Sequence, residues 1–162
     1  MYLRRVKSYK NINDPQRSFV SAFVERHIEK NQFFIKLNGL INWTSIDQEL
    51  KTVYTKGLTD RGAKAYAPLL LFKMMLISDW YDLSDTQTES MVNDSLSAMK
   101  FCGLTIEDSV PGHSTLSRFK KELKDKNAYD PILQKFLEQL SAHNLTIEKG
   151  SARIDARLKK LT

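Results

Sequence analysis

Between Ala67 and Ile77 the chain reads Ala-Pro-Leu-Leu-Leu-Phe-Lys-Met-Met-Leu-Ile, the most apolar stretch of its 162 residues, interrupted only by Lys73. Pro68 suits the first position of a helix, where its missing N–H costs no hydrogen bond. A helix apolar almost all round has no face to offer water, so this one belongs at the centre of a domain. Phe72, Met74 and Met75 are then core filling, and Trp80 and Tyr81 near its end pack with them. The run is far shorter than the roughly 20 residues needed to span a bilayer, which predicts a buried helix and no membrane partner. The chain is long enough to build one ordinary domain around it.

Most of the remaining sequence also has helical signals. Asp14-Pro15 pairs an N-cap with proline at the first helical position and predicts a helix to about Ile28 carrying Phe19, Phe23 and Val24. The apolar segment Phe33 to Ile41 leads to Asn42 and Trp43. Thr44 or Ser45 is the expected cap of a helix with Ile46, Leu50 and Val53 on one face. Thr55 to Ala65, with Gly57 and Gly62 among Lys56, Arg61 and Lys64, predicts a flexible basic loop. Ser84 and Gln87 have the spacing of a capping box ahead of a helix to about Val92. Ser95 to Phe101 is a short helix ending at Cys102-Gly103. Asp130-Pro131 opens another, with Ile132, Leu133, Phe136, Leu137 and Leu140 inward. From Ser151 to Lys160 the period changes to two: Ala152, Ile154, Ala156 and Leu158 alternate with Arg153, Asp155, Arg157 and Lys159, which predicts a strand.

The segment Val110 to Leu123 predicts a loop that stops abruptly at a basic helix. Pro111 and Gly112 break what precedes them, and Ser114 or Thr115 is the expected N-cap. Leu116, Phe119 and Leu123 recur at i, i+3 and i+7 and form one apolar stripe. At 100° per residue, Ser114, Ser117, Arg118, Lys121 and Lys124 fall on the other side. A helix with its back in a core and small polar and basic residues outward suits a DNA groove, and the same pattern also fits a solvated surface helix.

Charge favours the first of these. The net charge is +6, but residues 1–10 carry +4, residues 113–126 carry +3 and residues 153–162 carry +3, leaving −4 for the rest. Positive charge gathered in patches is what phosphate contact and counterion release require. Other chemistries lack their residues. Cys102 is the single cysteine, so there is no internal disulfide and no Cys cluster for zinc. His27, His113 and His143 are far apart, with no ligand partners at metal spacing. Gly57 and Gly62 lack the strand and helix of a phosphate-binding loop. Glu107 and Asp108 are spaced too closely to suggest a working carboxylate pair. Arg4, Arg5, Lys7 and Lys10 lead into polar residues, unlike a signal peptide, and predict a cytoplasmic protein.

Five motifs in order carry a resemblance. They are Asn38-Gly39-Leu40-Ile41-Asn42-Trp43, the run Tyr66 to Met74, Trp80-Tyr81-Asp82-Leu83-Ser84-Asp85, Phe101-Cys102-Gly103-Leu104, and Val110 to Phe119. Together they closely resemble the N-terminal region of bacterial insertion-sequence transposases, in the group named for insertion sequence five with an N-terminal domain of the InsH type. The resemblance covers about residues 33 to 158. It implies a bacterial helical module that binds double-stranded DNA at the terminal inverted repeats, followed by an RNase H-like catalytic domain with a DDE triad. The family's first catalytic aspartate lies in a pattern like Val-Asp-Ala-Thr. Here the matching residues are Ile154-Asp155-Ala156-Arg157, so Asp155 is its counterpart, and Arg157 stands where the family has Thr.

DNA cleavage and joining in such a family needs two divalent metals, usually Mg²⁺, bridged by carboxylates. Asp155 alone cannot hold that pair, so a metal role requires acids the resemblance places beyond Thr162. The chain by itself is expected to need no cofactor. On its own pattern, Asp155 is a strand aspartate paired with Arg153 or Arg157.

The expected architecture is all-α: a basic arm and first helix over 1–30, a helical DNA-binding domain over 31–144 with a helix-turn-helix-like unit from about Ser84 to Asp125, and over 145–162 one β-strand beginning a truncated RNase H-like domain. The expected DNA contacts are Ser114, Thr115, Ser117, Arg118, Lys120, Lys121 and Lys124, with Arg4 and Arg5 from the arm. Two alternatives differ in partner. One is a regulatory remnant that oligomerises with full-length transposase. The other is half of a transposase completed by a downstream polypeptide.

Overall fold

The computed structural model describes residues 32–54, 65–151 and 153–161. These form seven helices: α1 (Gln32–Leu40), α2 (Trp43–Val53), α3 (Pro68–Trp80), α4 (Asp85–Asp94), α5 (Leu96–Phe101), α6 (His113–Asp125) and α7 (Tyr129–Ala142). A small antiparallel sheet of β1 (Leu145–Glu148) and β2 (Arg157–Lys160) follows. The helix expected over 14–28, the arm with Arg4 and Arg5, and nearly all of the Thr55–Ala65 loop lie outside the described residues.

Helix α3 is central, as its composition requires. Pro68 occupies its first turn, and every residue from Leu70 to Ser78 is buried, together with Trp80. Helices α2, α4 and α6 pack around it. Burying a side chain the size of Leu71, Phe72 or Leu76 contributes about 1.5–3 kcal/mol, so this helix supplies much of the apolar stabilisation. Lys73 is buried with its neighbours, 8% exposed. Its ammonium donates to the Phe101 carbonyl at 2.9 Å and to Asn38 Oδ1 at 3.2 Å. It also lies 4.5 Å from the centre of the Trp43 ring and 4.9 Å from that of Phe101.

Aromatic rings join the elements around that lysine. Phe34 stacks on Phe101 at 4.8 Å, and Trp43 stacks on Phe136 at 5.8 Å. Trp80 meets Phe33, Phe101 and Phe136. One cluster therefore ties α1, α2, α3, α5 and α7 together. Gln139 of α7 adds a two-way clasp to the start of α2, accepting from the Asn42 amide at 2.6 Å and donating to its carbonyl at 3.2 Å.

Local signals mostly match the observed helix ends. Ser84 and Gln87 form the full capping box of α4, and Ser95 caps α5. Gly103, at φ 83°, closes α5 in the left-handed conformation that glycine accepts without strain. Helix α2 begins earlier than expected, because Asn42 supplies the capping oxygen to the Ser45 amide and leaves Thr44 and Ser45 inside the helix. Leu137, expected inward, is 41% exposed on the outer face of α7.

The C-terminal segment differs most from expectation. Its strand is confined to 157–160 and pairs with 145–148, a strand too short to show a pattern of its own, from Leu145↔Lys160 to Glu148↔Arg157. The alternation upstream of Arg157 belongs to a turn. There the Ser151 amide donates to the Ile154 carbonyl at 2.8 Å, Ile154 is 61% exposed and Ala156 is buried. The Gly150 amide donates to the Trp80 carbonyl at 2.8 Å, which fastens this turn to the end of α3. A Cβ at Gly150 would lie 2.1 Å from the Ile154 carbonyl oxygen, so only glycine fits there.

Candidate nucleic-acid interface

Helix α6 has the two faces its sequence predicts. Leu116, Phe119 and Leu123 are buried, and Phe119 meets the Tyr54 ring edge-on at 5.5 Å. Ser114, Ser117, Arg118, Lys121 and Lys124 are exposed, while Thr115 and Lys120 are half-buried. The connection 102–112 that leads into α6 is built by its own polar groups. Asp108 accepts from the amide and hydroxyl of Thr105, and Ser109 bonds the Tyr66 hydroxyl at 2.8 Å.

The helix starts at His113, with Gly112 at the cap position and no side-chain cap from Ser114 or Thr115. A neighbouring helix supplies the missing acceptor. Glu89 of α4 takes the His113 amide at 2.8 Å and the His113 ring Nδ1 at 2.7 Å through the same oxygen. The backbone and ring hydrogen bonds from His113 hold the Glu89 carboxyl below its ordinary 4.5. A carboxylate here also complements the positive end of the helix.

One turn earlier on α4, Asp85 binds the next part of α6. It accepts from the Ser117 hydroxyl and from the Lys120 ammonium, each at 2.5 Å, and Lys120 also reaches Ser78 Oγ at 3.2 Å. Burial pushes the Asp85 carboxyl up, but hydrogen bonds from Lys120 and Ser117 and the charges of Lys120 and His113 outweigh it and leave the group below 3.8. Lys120 therefore points back into the fold. The spacing of Asp85 and Glu89, four residues apart just past the capping box, was the available sign that one face of α4 meets α6 through carboxylates.

The rest of the arc is less engaged. Lys121 pairs with Asp125 on its own helix at 2.7 Å, both side chains well exposed, an arrangement worth little and easily exchanged. Lys124 lies over the Tyr129 ring at 5.7 Å. Arg118 makes no hydrogen bond or ion pair among the described residues. Past the arc, Lys126 ties down the helix end through Glu122 and the Val53 carbonyl. Ser114, Arg118, Lys121 and Lys124 thus form an exposed polar strip on a helix whose other face is fixed in the core. Helices α4 and α6 pack directly on each other. Helix α5 and the connection 102–112 separate them, where a helix-turn-helix has a turn of about 3–4 residues.

Asp155 sits apart from this strip. It is exposed in the turn below β2, and it shares a cleft of about 340 Å³ with Tyr81, Thr86, Gln87, Ser90, Met91 and Ser151. Burial raises the Tyr81 hydroxyl above its ordinary 10.0, and the Asp155 charge adds to that. Neither arginine expected beside Asp155 pairs with it: Arg157 reaches Glu148 at 3.9 Å across the sheet instead. Among the described residues no group of three or more His, Cys, Asp or Glu side chains is placed to hold a metal. Asp155 by itself does not fit a Mg²⁺ pair. No helix of the described residues is long and apolar enough to cross a membrane.

Against known proteins, a family model described as Transposase domain (DUF772) matches residues 22–122. The matched span contains α1 to α5 and α6 through Glu122. No solved structure matches the chain.

Proposed function

Because the chain belongs to the DUF772 transposase-domain family, we propose that it is the DNA-binding part of a transposase and recognises the terminal inverted repeats of its element through α6. The observation that carries this reading is the exposed strip of Arg118, Lys121 and Lys124 beside Ser114, on a helix rigidly backed by Leu116, Phe119 and Leu123. A cation that is exposed and weakly held loses little when it turns to a phosphate, and a fixed helix gives side chains a defined register on base edges. The finer assignment to the insertion-sequence-five group rests on the five motifs. In this reading α4 and α6 pack as a helix pair that presents α6 to DNA, with α5 and the connection 102–112 in place of the short turn of a helix-turn-helix, and Asp155 supplies the first acid of a catalytic set completed by other residues.

The test is duplex binding followed by fluorescence anisotropy, with a terminal-repeat duplex and a scrambled one, across a salt series. Arg118→Ala/Lys124→Ala should weaken binding to both. For every phosphate these side chains neutralise in the wild type, the slope of log K against log salt should be shallower in the variant by about 0.9. Equal affinity of wild type and variant at moderate salt would remove α6 as the contact. Co-purification with full-length transposase without any binding of the repeat would favour the regulatory reading instead.

A further inference from the structure

The two carboxylates that α4 presents to α6 occupy what a phosphate would seek there. Glu89 takes the His113 amide at the N-terminus of α6, and Asp85 takes the Ser117 hydroxyl and the Lys120 ammonium. An amide at a helix start, a hydroxyl and an ammonium are the usual donors to a DNA backbone. Here all three are filled from within the protein, by groups of the same charge as DNA. The remaining cations of the strip, Arg118, Lys121 and Lys124, have no such partner on α4. Charges act over about 8 Å at physiological salt, so the carboxylates oppose a phosphate beside the first half of α6 more than one further along.

We infer that Asp85 and Glu89 confine the DNA contact to the C-terminal half of α6 by withholding sequence-independent phosphate contacts from its N-terminal half. Non-specific affinity comes almost entirely from cation–phosphate contacts. Withholding Lys120 and the helix N-terminus lowers it for every sequence. Contacts that depend on base identity are untouched, so the repeat and a random duplex lose affinity alike, and base readout accounts for a larger share of the binding that remains. This inference rests on the reading of α6 as the DNA contact.

Anisotropy titrations of the full chain on a random-sequence duplex and on the terminal-repeat duplex test it, again across a salt series. Asp85→Asn keeps the shape and an acceptor for Ser117 but frees Lys120. It should tighten random-duplex binding several-fold and steepen the salt slope by about 0.9, the increment for one further phosphate neutralised. Adding Lys120→Ala to that variant should return both to wild type. Glu89→Gln, which leaves Lys120 in place, should tighten the random duplex and the repeat to a similar degree, and it decides the matter should Asp85→Asn fail to fold. Unchanged or weaker random-duplex binding by folded Asp85→Asn and Glu89→Gln would overturn the inference, as would a gain that survives Lys120→Ala. If Arg118→Ala/Lys124→Ala weakens binding while neither acidic variant tightens it, only this inference falls. If wild type binds no duplex at all, the reading of α6 falls with it.

Discussion

Lys73→Met isolates the charge buried in the aromatic cluster, and its effect can be worked from the structure. Burial pulls the Lys73 ammonium from its ordinary 10.5 down to about 8, with neighbouring Cys102 acting the other way. A difference of that size corresponds to about 3 kcal/mol of penalty for keeping the charged form in the folded protein. Below pH 8 folded and unfolded chains both hold the proton, and the penalty is present in full. Between pH 8 and 10.5 the folded protein has released the proton while the unfolded chain keeps it, so stability rises with pH. Cys102 opposes this at higher pH. Burial pushes its thiol from 9.0 up to about 12, so above pH 9 the unfolded chain sheds a proton that the folded protein retains. The clear window is pH 7 to 9, where Lys73 adds about 1 kcal/mol.

Urea denaturation at pH 7, 8 and 9, with reductant present, should show the wild-type midpoint moving upward and the Lys73→Met midpoint flat or slightly falling as the unfolded Cys102 thiol begins to ionise. Methionine fills a similar unbranched volume. It leaves the Phe101 carbonyl without its donor and removes the cation from the Trp43 and Phe101 rings, costs of about 1–3 and about 0.5–2 kcal/mol. Those offset the desolvation that the variant avoids, so the two proteins should differ by no more than about 2 kcal/mol at pH 7. A wild-type midpoint that stays flat from pH 7 to 9 would refute the reasoning, and so would a variant that keeps the rise.

Phe136→Ala removes a fully buried ring stacked on Trp43 and should cost about 3–5 kcal/mol, read as a lower melting temperature. Asp85 and Glu89 both have folded-state values below their ordinary ones. Their contribution is complete above pH 4.5 and is lost as pH falls through the lowered values. Melting temperature against pH below 5 should therefore fall less steeply in Asp85→Asn/Glu89→Gln than in wild type. Gly150→Ala forces the turn away from the Ile154 carbonyl and should speed hydrogen exchange of amides 150–156 while the helices keep their protection. Unchanged exchange there would show that the turn accepts a side chain.

Much of the fold was legible because its signals are local. The apolar run from Pro68 to Ile77 marked the core helix, and the Ser84 to Gln87 capping box marks the start of α4 to the residue. The stripe of Leu116, Phe119 and Leu123 assigned both faces of α6. The errors arose where a distant residue decides. Ser114 and Thr115 satisfied every local rule for a cap, but the His113 amide is taken by Glu89, 24 residues away. Lys120 was expected among the DNA contacts of α6, yet its ammonium is bound by Asp85, 35 residues away. Ile154 and Ala156 alternate like strand residues, while the bond from the Gly150 amide to the Trp80 carbonyl bends that segment into a turn. Spacing reports what a helix or strand would do alone, and these exceptions are all made by a second element.

The aromatic cluster also determines what light can report about this protein. Trp43 and Trp80 are its only tryptophans, and each contacts both Phe101 and Phe136. Their emission therefore samples one small volume where α1, α2, α3, α5 and α7 meet. Unfolding of the core will change that signal fully, and release of the Lys73 proton 4.5 Å from the Trp43 ring should shift it as well. A duplex settling on the outer strip of α6 will leave it nearly unchanged. Intrinsic fluorescence is thus a gauge of core integrity during a binding titration, independent of the labelled DNA that measures occupancy.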